Sequence, residues 1–147
     1  MSETDDRVPG RSIYLSVSQL YNLRLACRPI WESYGNVFLV GSVLKRPNFR
    51  DVDIRCMIED EVYYAMFPQS KGVRETKGGG NEFLHPRLLL LNVSISSWLA
   101  SVMASKLEID FQFQRMSHAN DVYGADHHTR VPIGLRYLTV EEEDARR

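Results

Sequence analysis

An excess of charge of either sign, paired cysteines and a hydrophobic leader are all missing from this sequence, and each absence narrows the field. Its 18 Lys and Arg against 19 Asp and Glu leave a net charge of -1, so no global field draws it to a phosphate backbone and nucleic acid is not an expected partner. Two cysteines, Cys27 and Cys56, fall inside apolar patterns without metal-ligand spacing and read as small buried hydrophobes of a reducing compartment. The first ten residues, MSETDDRVPG, are acidic and carry no apolar segment, so no signal peptide is expected and the cytoplasm is the expected location. Four histidines invite a zinc reading, but a zinc-site spacing is missing: His118, His127 and His128, near Asp121 and Asp126, match none. Internal repeats and low-complexity tracts are missing too.

The 147 residues, 44% hydrophobic and 25% charged, suffice for one soluble domain with a single core. Residues 1–15 read as a loose segment, 16–114 as the domain proper, and 115–147 as an extension packed on it or trailing it. Ser16-x-x-Gln19 has the form of a capping box, with Leu15 and Leu20 at the offset of a hydrophobic staple, so a helix is predicted to begin there. Pro29 is predicted to kink or break it near Cys27, and Gly35 to end it. Acidic residues 59–61 open a short helix that Pro68 closes. Residues 69–81, with Lys71, Arg74, Lys77 and three successive glycines, read as a mobile loop, a solvated connection in the first place and otherwise a flap whose cations would meet a triphosphate or an acidic acceptor. Leu88 to Ser105 carries no charge, which raises a membrane span. Five serines and asparagines dilute it, and a helix packed on a sheet through Leu88, Leu91, Ile95, Trp98 and Val102 is the better expectation, with no membrane.

The chain is organised around NVFLVGSVLKRPNFRDVDIRCMI, residues 36–58. Val37 to Val40 is a short apolar strand that ends at Gly41-Ser42, a pair suited to a sharp turn with free N–H groups. From Asp51 the period is two: Val52, Ile54, Cys56 and Ile58 face one side, and Asp51, Asp53 and Arg55 the other. Two carboxylates on one strand face, about 7 Å apart by the rise per residue, repel unless a cation sits between them, and magnesium is the usual one. Leu107 to Gln114 alternates in the same way and places Asp110 on its polar face.

Gly-Ser, a short spacer, Asp-x-Asp in a strand and a later strand aspartate together resemble the signature of the DNA polymerase beta-like nucleotidyltransferase superfamily, in its minimal single-domain form. The resemblance implies a small mixed sheet with helices packed on one face, an α/β (α+β) fold. It implies two magnesium ions held by Asp51, Asp53 and Asp110, with Asp110 also taking the acceptor's proton. A nucleoside triphosphate would lie with its phosphates on Gly41 and Ser42. Lys45 and Arg46 stand near that turn by sequence, and Arg55 either pairs with Asp53 or reaches the substrate. The implied reaction transfers a nucleoside monophosphate to a small-molecule or protein hydroxyl and releases pyrophosphate. Minimal members include partners of toxin–antitoxin pairs, so the acceptor could be a partner protein. The alternative is a non-catalytic nucleotide-binding or regulatory, antitoxin-like module. The helical second domain of larger members is not seen, which implies a groove completed by a partner chain or a homodimer.

Overall fold

The computed structural model describes residues 13–72, 75, 85–103, 107–124 and 129–134. Helix α1, Val17–Ser33, starts at the predicted box: the Gln19 amide donates to Ser16 Oγ at 3.0 Å and the Ser16 amide to Gln19 Oε1 at 2.9 Å. It runs through Pro29 as one helix, so of the expected kink or break the break does not occur. Pro29 lies on the exposed face with Leu25, the residue whose carbonyl loses its partner, so water can take up that acceptor. Ile13 and Leu15, at the end of the segment expected to be loose, are buried in the core.

Four strands follow: β1 Asn36–Val40, β2 Asp51–Ile58, β3 Glu108–Arg115 and β4 Arg130–Gly134. They lie in the order β3-β2-β1-β4, with β2 and β3 parallel and the other pairs antiparallel. The parallel pair needs a long crossover. Helices α2, Asp60–Met66, and α3, Pro86–Met103, fall within it. Alternation along the strands then fixes two faces. Val37, Leu39, Val52, Ile54, Cys56, Phe111 and Phe113 meet Leu23, Cys27 and Ile30 of α1 and Leu88 and Leu99 of α3 in the main core. The mixed sheet and the α/β (α+β) class are as expected.

Two features differ from the sequence reading. Helix α3 is rotated: Leu88, Asn92, Leu99 and Met103 are buried, Leu91 and Ile95 flank them, and Trp98 and Val102 are 43% and 49% exposed. The cause is polar. Edge strand β3 offers N–H groups that Asn92 Oδ1 accepts from Phe113 at 3.0 Å and Ser96 Oγ accepts from Phe111 at 2.8 Å, and unpaired buried amides cost more than exposing one apolar stripe. Secondly, the region expected to be an extension supplies β4 and a fourth helix, α4, Met116–Tyr123. Helix α4 lies on the opposite sheet face, where Ala119, Met116 and Tyr123 pack with Phe38, Val40 and Met57. Asp60 of α2 ties down its start by accepting from the Ser117 amide at 3.0 Å and from Arg115 at 2.9 Å. Arg74, Lys77, Asp126, His127 and His128 lie outside the described residues.

Helix α3 is, among the described residues, the one helix long and apolar enough to cross a membrane by length and composition, with a mean hydropathy of 1.2 and 22% of it buried.

Candidate functional site

Beside α4, the second face of the sheet carries the predicted residues. Strand β1 ends at Val40, and a 3₁₀ turn, Gly41–Leu44, begins with Gly41 at φ +79°. Glycine is favoured here by that positive φ, and a Cβ would also lie 2.2 Å from Asp53 Oδ2 and push that carboxylate aside. Asp53 is paired with Val40 on one side and with Asp110 on the other. The Gly41 backbone and the Asp53 and Asp110 carboxylates therefore form one short row, with neighbouring strands about 4.8 Å apart.

One step along the strands, Asp51 is paired with Glu108. The sequence reading left Glu108 out of the site, although it shares the polar face of β3 with Asp110; only the strand register shows that it stands beside Asp51. Four carboxylates thus occupy a block two residues by two strands, and the block is electrostatically unfavourable as it stands. Burial pushes the Asp53 carboxyl up from 3.8 to about 6; the Arg55 charge opposes this, while Asp110, Asp51 and a hydrogen bond with Asp110 add to it.

Arg55 is buried, and its guanidinium pairs with Asp110 while its charge also favours ionised Asp53: Nη1 donates to the Asp110 carbonyl at 2.8 Å and to the Ile54 carbonyl at 3.0 Å, and Nη2 to Asp110 Oδ2 at 3.3 Å. A rigid fork with that many contacts clamps β2 to β3 beside the carboxylate row. Burial raises the Tyr123 phenol of α4 above its ordinary value, while Arg55 and Gln114 near it oppose the shift. Tyr123 walls the row on the α4 side. Sequence reasoning missed Tyr123 because nothing local marks α4 as covering this face.

Ser42 is half-buried in the turn, and Lys45, at its end, is exposed, as is Lys71. Asp51, Asp53, Asp110, Gly41 and Arg55 are therefore brought together, Ser42 stands next to them, and Lys45 reaches outward.

The donors of this block are all carboxylate oxygens, the set preferred by magnesium or calcium and not by zinc or copper. Among the described residues no three His, Cys, Asp or Glu side chains stand close enough to hold a metal ion as they are oriented. One reason is visible: Asp110 Oδ2 is turned to Arg55. In chemical type the donors fit a hard cation; bringing Asp110 Oδ2 onto one would require exchanging its contact with Arg55 at 3.3 Å.

No family model matches the chain, and no curated protein and no solved structure matches it. Function is therefore argued from the block itself.

Proposed function

We propose that the chain is a magnesium-dependent nucleotidyltransferase that moves a nucleoside monophosphate from a nucleoside triphosphate to a hydroxyl of a small molecule or a protein. The observation that carries this reading is the register of Asp53 with Asp110, with the Gly41 backbone packed against the Asp53 carboxylate. Asp51, Asp53 and Asp110 would hold the ions, and magnesium bound there supplies charge neutralisation at the attacking and leaving oxygens. Gly41 and Ser42 bind the β- and γ-phosphates through backbone amides and the hydroxyl. Lys45, exposed at the end of the same turn, would have to swing inward to meet them. Asp110 accepts the acceptor's proton as its oxygen bonds to the α-phosphorus, and the bond from that phosphorus to pyrophosphate breaks. Arg55 holds Asp110 in line with Asp53 before substrate arrives.

One observation favours a second reading, a nucleotide-binding or regulatory module without turnover. The Arg55 guanidinium already supplies a positive charge at Asp110, so the site has a partial substitute for a cation built in. Calorimetry with magnesium and each of the four ribonucleoside triphosphates, on wild type and Asp53→Asn, tests both. Magnesium-dependent binding that the variant loses, followed by pyrophosphate release with an acceptor, supports transfer. Binding with no pyrophosphate release in any acceptor mixture selects the module. Wild type that binds no triphosphate at millimolar ligand rules out both.

A further inference from the structure

The face of the molecule farthest from the carboxylate row has its own pattern. Val17, Tyr21 and Leu25 of α1 are 72%, 62% and 55% exposed and recur every four residues. On α3, Leu90, Trp98 and Val102, 64%, 43% and 49% exposed, fall on the same spacing. Four-residue ridges are those that interdigitate when two helical surfaces cross at about −50°. Between the ridges lies a groove of about 390 Å³, lined by Leu25, Ala26, Pro29, Trp98, Val102 and other residues of the two helices.

We infer that this face is the docking surface for a second copy of the chain, α1 and α3 packing on α1 and α3 about a two-fold axis. Two arguments select that occupant. The first is charge. In an isologous contact, side chains near the axis meet their own copies, so any ionisable group there faces a like charge. After Arg87, α3 carries no Asp, Glu, Lys or Arg through Met103. On α1 the charges are Arg24, which is exposed, and Arg28, paired with Glu32 at 2.9 Å, so the axis is placed over the uncharged α3 and the charged α1 residues fall at the rim.

The second argument is area. With residue areas of about 150–250 Å², those six side chains leave about 600–700 Å² to water, close to the roughly 800 Å² that each partner contributes to a stable interface. A bilayer is the competing occupant. Asn92 and Ser96 hold α3 to the β3 amides, so α3 cannot leave the sheet to insert without stranding them.

The surface lies across the sheet from Asp53 and Asp110, so a dimer built this way leaves both carboxylate rows open. The inference does not rest on the proposed reaction, and it differs from a dimer that would complete the nucleotide groove.

Sedimentation equilibrium of the full chain decides it. Wild type should have twice the 17.0 kDa chain mass at micromolar concentration. Leu25→Lys and Val102→Lys, one on each ridge at an exposed position, should each weaken association at least about a hundredfold, because like charges are forced together across the axis. Far-UV circular dichroism of both should match wild type, and should one fail to fold, the other carries the test. Asp121→Lys on α4 should remain dimeric. A wild type of 17.0 kDa at every concentration, or folded Lys variants that still dimerise, overturns the inference. So does a monomer that co-sediments with vesicles of phosphatidylcholine and phosphatidylserine, which would assign the face to a membrane.

Discussion

Replacing Asp53 by Asn should make the protein more stable, and the gain should depend on pH. Asp53 titrates near 3.8 unfolded and about 6 folded, since burial and the neighbouring carboxylates disfavour its charge. A raised acid is at its most favourable when protonated, so wild type and variant should be equally stable below about pH 4. As pH rises through 6 the wild type ionises and loses stability that the neutral amide keeps. Two units correspond to about 3 kcal/mol, and because Asp53 is only half-buried, solvent screening brings the expected gap to about 1–2 kcal/mol. For a domain of this length that is a melting-temperature difference of about 3–6 °C at pH 7.5. Differential scanning calorimetry of both proteins from pH 4 to 8 measures it. Magnesium added at pH 7.5 should raise the wild-type midpoint and leave the variant unmoved, since a ligand stabilises the state that binds it. An Asn variant no more stable than wild type at pH 7.5, or a gap unchanged at pH 4, would refute the electrostatic account of the row.

Other outcomes follow from the same structure. Gly41→Ala must place a side chain at φ +79° and within 2.2 Å of Asp53 Oδ2, so urea unfolding should show a loss of at least about 2 kcal/mol, and calorimetry a loss of magnesium-dependent nucleotide binding. The rotation of α3 predicts that, in monomeric protein below the dimer's dissociation constant, Leu99→Ala costs about 2–5 kcal/mol and Trp98→Ala about 1 kcal/mol or less, by chemical denaturation; equal costs would mean that the helix faces otherwise. Burial pushes the Cys27 thiol up to about 12 and the Cys56 thiol higher still. Neither should react with a thiol reagent at pH 8 until the protein unfolds, and rapid labelling of the native chain would contradict the packing.

Local patterns in the chain were strong enough to read. The Ser16 and Gln19 box needs only four consecutive residues, and the period-two runs around Asp53 and Asp110 need only a strand, so both survive any tertiary arrangement that keeps the element. Helix α3 was misread for the opposite reason. Its apolar residues run almost all the way round, and the choice of inward face was made by Asn92 and Ser96 answering amides of a strand that lies far along the chain. Pro29 was misjudged because its cost depends on whether the freed carbonyl meets water. Helix α4 and β4 were missed because a short polar helix and a five-residue edge strand containing proline carry little periodic signal.

The sequence by itself determined α1 to α3, β1 to β3 and the polarity of the β2 and β3 faces, because side-chain alternation and caps act over a few residues. It also placed Gly41, Asp53 and Asp110 at positions where they could meet. Tertiary structure alone decided that they do meet, since the parallel pairing that sets Asp53 beside Asp110 is fixed by a long crossover and by core packing on the other face. It alone decided that Arg55 ties to Asp110, because a guanidinium on one strand reaches acceptors that only the neighbouring strand presents.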